Sequence, residues 1–414
     1  MKTAPANIKK YDLLFSQYCN IDTASNHEFN AVLSNIYGDY KHAVLFAGKK
    51  NKSSLSIAIN TAQLDSIKAN LEFISKDSGF SLEDKLKASQ MLSLLSPPSL
   101  DHVFNSSKAA DARSVILEQS KNFHFLLINE AHYSSQNRAF THSLLKPLWE
   151  QGYRYLALED LGYDDLELIA RGSPNIHTGY YLKDPVFSAL VRDALKMGYQ
   201  LVPYETKGSE GGTIRDRDQA LNIYKSTLQK DTVGKVIIHA GYSHISKEGG
   251  DPYIPMGAQL KALIRQDILT VDQVTMVELS DDKLHSYYKH VKNNFTFSDP
   301  IVVLDSNSKP LIDPVNSQGI DIQIYHPPTI YKYNRPLWLL NKENYSFIKV
   351  PNELQKYKGY LLQVLRKEAE YNEIPIDQIV IGNDTRLVLS PSDYKIRLIS
   401  REGNLEATGL LTIR

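Results

Sequence analysis

Short apolar runs alternate with amphipathic stretches between about residues 113 and 305. The runs occupy residues 123–128 (FHFLLI), 153–158 (YRYLAL), 200–204 (QLVPY), 235–240 (KVIIHA), 274–279 (VTMVEL) and 301–304 (IVVL). Those at 123 and 235 are nearly continuous, which is typical of strands buried on both faces. Phe140, Leu144 and Leu148 recur every four residues and predict a helix over 137–151. Residues 185–197 and 214–228 repeat the helical pattern, so the region predicts a mostly parallel sheet flanked by helices.

The two flanks of this α/β region, which we place at 106–350, have other patterns. Residues 1–105 show helical periodicity with polar breaks and end in SPPSLD at 96–101. This predicts an almost wholly helical N-terminal region, since a residue before proline is disfavoured in a helix. Residues 351–414 alternate with period two around the turn signals GNDT and REGN, which predicts two hairpins in a small antiparallel sheet or sandwich. We expect neither flank to contribute to the site.

Charge and composition exclude several classes of protein. Lys and Arg number 47, equal to Asp and Glu, so the chain lacks the positive field of a dedicated nucleic-acid binder. A single cysteine, Cys19, excludes disulfide frameworks and cysteine-based metal sites. No apolar run approaches the ~20 residues of a transmembrane helix. The N-terminus shows no export signal, but a removed signal would leave the same pattern, so both a cytoplasmic and a periplasmic or secreted location fit. The oligomeric state stays open.

Ionisable side chains follow four consecutive predicted strands. In chain order they are Glu130 with His132, Glu159, Glu205, and His239 with His244. In open parallel sheets, ligands bind at the carboxyl ends of the strands. Taken alone, a glutamate after a strand is more often a solvated loop residue, and His239 inside an apolar run is more often a core residue. The coincidence of four strand ends favours an active site or ligand site for a small molecule.

Four further residues are candidates for this site. Arg215 begins a charged run, RDRD. It could neutralise a buried carboxylate or hold a developing oxyanion, or it is a surface charge. Tyr180 and Tyr181 lie in a long insertion between the second and third strands, where they either wall a pocket or pack against a helix. Tyr242 follows the fourth strand and is a candidate substrate contact.

The candidate residues permit hydrolysis by activated water. A histidine beside a carboxylate is a competent general base near neutral pH. His132 with Glu130 or Glu159 could deprotonate water, and His244 could protonate the leaving atom. The sequence contains no G-x-S-x-G elbow, which argues against a covalent acyl-enzyme. Nothing in the sequence requires a cofactor. Two histidines with carboxylates would also suit zinc or manganese, although no metal-binding spacing is present.

Four motifs in chain order resemble the erythromycin esterase/ChaN-like superfamily, which includes the Tiki proteases. They are INEAH with an R-x-F-x-x-x-L-L helix, LALE, TIRDRD with Ala220 and Asn222, and HAGYSH followed by PMGAQL, together spanning roughly residues 120–265. Two positions depart from the family pattern. Asn129 replaces a glycine, and Glu130 and His132 are two positions apart, as in ChaN-like members, rather than three.

The resemblance implies two functions from different classes. The first is a hydrolase that acts on an ester or amide bond through the Glu/His cluster. The second is a haem-binding or other ligand-binding protein of the ChaN type, without turnover. Hydrolysis requires His132 and His244 to pair closely with carboxylates, whereas binding requires them to be open toward an iron or a ring.

Overall fold

A computed structural model describes the chain at residues 2–3, 13–20, 26–43, 46, 61–77, 79–95, 100–206, 211–278, 286–314 and 317–414. The helices within these residues are α1 (Leu13–Cys19), α2 (His27–Ile36), α3 (Thr61–Lys76), α4 (Leu82–Leu95), α5 (Asp101–Phe104), α6 (Ala112–Ser120), α7 (Ser135–Glu150), α8 (Leu168–Arg171), α9 (Pro185–Met197), α10 (Gly212–Ser226), α11 (Met256–Ile264) and α12 (Ser286–Asn294). Among the described helices, none is long and apolar enough to cross a membrane.

A six-stranded parallel sheet forms the centre of the protein. Its strands are β3 (Phe125–Glu130), β4 (Tyr153–Leu158), β5 (Gln200–Pro203), β6 (Lys235–Gly241), β7 (Leu269–Asp272) and β9 (Ile322–Gln323). They lie in the order β5-β4-β6-β3-β7-β9, and every pair is parallel. The predicted α/β class, with a mostly parallel sheet flanked by helices, is confirmed.

Both faces of this sheet are covered by helices because its central strands are apolar on both sides. On one face, Leu126 and Ile128 pack with Leu144 and Leu190 of α7 and α9. On the other face, Phe125 and Leu127 pack in a cluster that includes side chains of α10 and α11. All six residues of β3 are buried, which explains the nearly continuous apolar run in the sequence. The parallel order brings the carboxyl ends of β3, β4, β5 and β6 to one edge.

Two predicted strands of this sheet are wrong. The segment at 274–278 forms a turn, because Asp272 accepts hydrogen bonds from the Val274 and Thr275 amides at 3.1 and 3.4 Å. The strand lies just before it, at β7. The run at 301–304 is a strand, β8 (Ile301–Leu304), but it pairs antiparallel with β2 (Lys108–Asp111) in a separate sheet.

The C-terminal region is mainly antiparallel. Its strands are β10 (Tyr331–Lys332), β11 (Arg335–Pro336), β12 (Ser346–Lys349), β13 (Leu361–Arg366), β14 (Asp377–Val380), β15 (Arg386–Leu389), β16 (Ser392–Ile399) and β17 (Leu405–Ile413). REGN joins the paired strands β16 and β17, as predicted. GNDT does not close a hairpin, because β14 pairs with β13 while β15 pairs with β12. The Asp377 carboxylate, which accepts the Val388 amide at 2.8 Å, connects these two sheets.

The N-terminal region packs on the C-terminal sheet and is not wholly helical. β1 (Lys2–Thr3) pairs with β17 at the edge of that sheet. Phe15 and Leu33 pack against Leu361 and Ile399 in one apolar cluster. No strand of either flank enters the central sheet within the described residues.

Candidate active site

Most of the candidate residues line one cavity of about 360 Å³ at the carboxyl edge of the central sheet. The cavity is lined by Glu130, His132, Glu159, Asp160, Leu161, Gly162, Tyr181, Phe187, Glu205, Arg215, His239, Ala240, Gly241 and His244. The strand ends therefore bring together side chains that are up to 114 positions apart in the chain, from Glu130 to His244. Tyr180 and Tyr242 lie beside this cavity rather than in its lining.

Glu130 is a buried anion held by an arginine. Arg138 of α7 donates to its two carboxylate oxygens at 2.5 and 2.8 Å, and it also donates to Asp184 at 3.0 Å. Burial opposes ionisation of Glu130, but the charge and hydrogen bonds of Arg138 hold its pKa well below the ordinary value. Glu130 is therefore ionised at neutral pH, and it accepts hydrogen bonds only.

The ionised Glu130 fixes the tautomer of His132. The His132 Nδ1 atom lies 3.0 Å from Glu130 Oε1, so Nδ1 carries a proton and donates it. In the neutral ring, the lone pair is then on Nε2. A Cβ atom on Gly241 would lie 2.7 Å from this Nε2 and 3.1 Å from Glu159 Oε2, which shows that both atoms face the same point of the cavity. This is the arrangement of a general base.

Two tyrosines enclose the His132 ring. Tyr181 stacks on it with a centroid distance of 4.2 Å and an interplanar angle of 11°, and Tyr242 meets it edge-on at 5.0 Å. The Asp160 carboxylate positions Tyr181, because it accepts the backbone amides of Tyr180 and Leu182 at 3.0 and 2.6 Å. Burial raises the pKa of Asp160 to about 6, although these amide bonds oppose the shift.

Arg215 joins the carboxylates of two other strand ends. Its Nη2 atom donates to Glu159 Oε1 at 2.7 Å, and its Nε atom donates to Glu205 Oε1 at 3.0 Å. The other oxygen of Glu159 accepts the Gly241 amide at 2.5 Å. Burial would raise the pKa of Glu205, but the hydrogen bond to Arg215 lowers it overall. Arg215 thus lines the cavity and is not a solvated surface charge.

His244 is oriented by a buried carboxylate. Its Nδ1 atom lies 2.8 Å from Asp216 Oδ2, while Nε2 lies 3.2 Å from Arg215 Nη1 and 3.7 Å from Glu159 Oε1. Burial and Arg215 would lower the pKa of His244, but the hydrogen bond to Asp216 and the charge of Glu159 raise it overall. His244 therefore binds a proton more readily than a free imidazole, and in its neutral form Nδ1 carries the proton while Nε2 accepts a hydrogen bond from Arg215 Nη1.

His239 differs from the other two histidines because it is buried in the core. Only 1% of it is exposed, and burial lowers its pKa to about 4, so it is neutral at physiological pH. Its Nε2 atom has no hydrogen-bond partner among the described residues and lies 3.8 Å from Glu130 Oε2. This agrees with the interpretation of His239 as a core residue, although it also contributes to the lining of the cavity.

The N-terminal region reaches the edge of the site, contrary to our expectation. Glu28 of α2 accepts a hydrogen bond from the Tyr242 hydroxyl at 3.1 Å. Asn129 connects the end of β3 to the end of β7. Its side-chain amide donates to Asp272 at 2.7 Å and accepts the Gln273 amide at 2.8 Å.

Sequence reasoning missed three residues that hold the site together. Arg138, Asp160 and Asp216 are buried or nearly buried partners of the predicted groups. Arg138 is the first residue of the R-x-F motif, and Asp216 is the second residue of the RDRD run. These two motifs therefore contained the residues. Whether their side chains are buried and point toward the site depends on how the helices pack on the sheet.

The donor set does not fit a divalent metal. The carboxylates of Glu130, Glu159 and Glu205 each accept a hydrogen bond from an arginine guanidinium. A metal ion would have to displace these cations. Within the described ranges, no group of three or more histidine, cysteine, aspartate or glutamate side chains is arranged to hold a metal. His132 is also enclosed on one face by Tyr181, unlike an open haem ligand.

Comparison with known proteins gives distant structural matches only. No family model and no curated protein matches the chain. A solved structure titled "Bacterial protein toxins" shares 16% identity at a TM-score of 0.32 over 66% of this chain and 68% of that one. RRSP, a MARTX toxin effector domain from Vibrio vulnificus CMCP6, shares 16% identity at a TM-score of 0.28 over 66% of each chain.

A third match is the C-terminal region of Pasteurella multocida toxin, whose title reports a thiol-protease-like catalytic triad. It shares 10% identity at a TM-score of 0.28 over 93% of this chain and 54% of that one. In the present protein, Cys19 is in α1 and does not line the cavity. Matches at this level assign neither a family nor an activity.

Proposed function

We propose that this protein is a hydrolase that activates water with His132 to cleave an ester or amide bond. The observation that carries the proposal is the hydrogen bond between His132 Nδ1 and the ionised Glu130. It places the lone pair of the imidazole on Nε2, toward the cavity, and it stabilises the imidazolium that forms when the base accepts a proton.

The proposed reaction needs one base, one acid and one stabilising cation. His132 Nε2 takes a proton from water as the water oxygen bonds to the substrate carbonyl carbon. The carbonyl π electrons move to oxygen, and the Arg215 guanidinium stabilises this negative charge. The intermediate then collapses, the bond to the leaving oxygen or nitrogen breaks, and that atom takes a proton from Nε2 of protonated His244, a form in which Nε2 no longer accepts a hydrogen bond from Arg215 Nη1. The products are a carboxylic acid and an alcohol or amine.

Water is the nucleophile in this scheme. The described side chains that line the cavity include no serine, threonine or cysteine. The carboxylates of Glu130 and Glu159 are engaged by arginines, which lowers their nucleophilicity. Direct attack by water fits these groups better than a covalent acyl-enzyme.

We further propose that the chain belongs to the erythromycin esterase/ChaN-like superfamily. Residues from each of the four recognised motifs, such as Glu130, Glu159, Arg215 and His244, meet in one cavity. The close pairing of both histidines with carboxylates favours turnover over the haem-binding alternative.

The experiment compares wild type, His132→Ala and His102→Ala with a panel of p-nitrophenyl esters and peptide 4-nitroanilides. His102 is exposed and does not line the cavity, so its substitution is a matched control. We expect turnover by wild type and by His102→Ala, with a large loss in His132→Ala. A Soret shift on mixing with haem, with no turnover of any substrate, would support the binding protein instead.

A further inference from the structure

A second cavity, of about 810 Å³, is lined by helix α9 together with Lys342, Tyr345, Arg366 and Ile376. Helix α9 forms one wall with Arg192, Asp193 and Lys196, and the opposite wall includes Lys342 and Arg366. It shares no lining residue with the candidate active site, although Phe187 at the start of α9 lines that site.

The guanidinium of Arg192 is buried without a strong partner. Arg192 is 8% exposed, and it donates only to the carbonyl oxygens of Ile374 and Pro185, at 3.3 and 3.5 Å. Both distances exceed the 2.7–3.2 Å range usual for N–H···O bonds. No carboxylate within the described residues forms an ion pair with Arg192. A buried guanidinium with five donors is costly unless a ligand or solvent satisfies them.

Two more cations in this cavity lack full partners. Arg366 donates to Glu373 from Nη2 at 2.7 Å, but its buried Nε atom has no hydrogen-bond partner among the described residues. The Lys342 ammonium lies 5.5 Å from the centre of the Tyr345 ring and has no carboxylate partner in the described part of the chain. Burial lowers the pKa of Lys342 to about 8 and that of Arg192 to about 10.

The cavity therefore carries an excess of positive charge. Four cationic side chains line it with a single carboxylate, that of Asp193, whose charge acts on both Arg192 and Lys342, while Glu373 pairs with Arg366 from outside the lining. Cations that outnumber the nearby carboxylates in a partly enclosed cavity are destabilising, and a bound anion reduces this cost. Apolar side chains complete the lining, among them Leu195, Tyr199 and Ile376.

We propose that this second cavity binds a small organic anion, with its phosphate or carboxylate group between Arg192, Lys342 and Arg366 and its apolar or aromatic body against Leu195, Tyr199 and Ile376. Planar guanidinium groups bind both head groups in a bidentate manner. Cavities of this size, mostly apolar with a few placed polar groups, are typical of small-molecule sites. This inference is independent of the proposed hydrolysis.

Isothermal titration calorimetry on the full chain tests the proposal with phenyl phosphate, benzoate and the neutral phenol. We expect both anions to bind and phenol to bind at least ~10-fold more weakly, because the charge-assisted hydrogen bonds are lost. Tighter binding of phenyl phosphate than of benzoate would identify phosphate as the preferred group. Equal binding of phenol, or no binding of either anion, would overturn the proposal.

Variants locate the binding and separate it from folding. Lys342→Met and Arg366→Gln should each weaken the Kd for the preferred anion at least ~10-fold. The control Arg154→Gln should not, because Arg154 stacks on Trp149 at 4.0 Å outside the cavity. Lys342→Met should melt at or above the wild-type temperature, since it removes an uncompensated charge. An unchanged Kd in both cavity variants would place the anion elsewhere and contradict the proposal.

Discussion

Asp216 and His244 form a buried carboxylate–imidazole pair, with 2.8 Å between Asp216 Oδ2 and His244 Nδ1. Asp216 is fully buried, and the same oxygen accepts hydrogen bonds from the Tyr253 hydroxyl at 2.7 Å and the Met256 amide at 2.8 Å. The carboxylate is fixed by α11 and by its own helix, α10. It therefore sets both the direction of the His244 ring and its affinity for a proton.

Substituting Asp216→Asn should shift the pH dependence of turnover. Burial lowers the pKa of His244, and Asp216 and Glu159 together raise it above the ordinary value. If protonated His244 is the general acid, turnover falls as the pH rises through this pKa. Removing the carboxylate charge lowers the pKa, so the falling limb of kcat/KM should move to lower pH, with a loss of at least ~10-fold at pH 8. An unmoved falling limb would remove His244 from the role of acid.

Substituting His132→Ala should lower kcat at least ~100-fold, because general-base contributions are typically ~10²–10⁴-fold. The protein should stay folded, as a residue at the cavity contributes little to the core. Steady-state kinetics and circular dichroism measure the two effects, with His102→Ala as the control. Wild-type turnover in His132→Ala would transfer the role of base to His244.

Glu159→Gln should cost a factor similar to His132→Ala, since Glu159 holds both Arg215 and the Gly241 amide. Groups that act as one unit are not additive. The double variant His132→Ala/Glu159→Gln should therefore be scarcely slower than the slower single variant in the same kinetic assay. Multiplicative losses would show that the two residues serve separate functions.

The strand-end residues were predictable because a parallel sheet brings its carboxyl ends together whatever the loops do. That rule alone predicts that the strand-end residues lie together, namely Glu130, His132, Glu159 and His244. It does not predict their hydrogen-bond partners. Whether Arg138 points inward depends on how α7 packs on the sheet, and periodicity indicates only which face of a helix is apolar.

Short strands were the main source of error in the fold. β7 and β9 have four and two residues, so their own apolar pattern is weak. VTMVEL has a stronger strand pattern. The Asp272 side chain, however, accepts hydrogen bonds from the Val274 and Thr275 amides at its start, and the chain turns there. GNDT is a good turn signal, yet a turn residue does not determine which strands pair.

Substituting Arg138→Met should destabilise the fold by about 3–5 kcal/mol, because it leaves the buried carboxylates of Glu130 and Asp184 without a counter-ion. The control Arg217→Met removes an exposed ion pair with Asp218 and should cost less than about 0.5 kcal/mol. Urea denaturation followed by circular dichroism measures both free energies of unfolding. Equal effects would mean that the buried network contributes no more than a surface pair.

Substituting Gly241→Ala should reduce turnover without preventing folding. The backbone at Gly241, with φ −73° and ψ 141°, is one that any residue adopts, so the glycine is required for space and not for conformation. An added Cβ would lie 2.5 Å from His132 Cε1 and 3.1 Å from Glu159 Oε2, and it would displace the base from the point that both groups face. A misplacement of about 1 Å can cost ~100-fold, so we expect a loss of kcat between ~10-fold and ~100-fold.

Gly250→Ala is the matched control for this steric effect. A Cβ at Gly250 would have no atom within 4 Å, and its turnover should equal that of wild type. Because the methyl group of Gly241→Ala acts on the position of His132, the variant His132→Ala/Gly241→Ala should be no slower than His132→Ala alone. A further loss in that double variant, measured by kcat, would show that the added methyl group acts on the substrate instead of on the His132 ring.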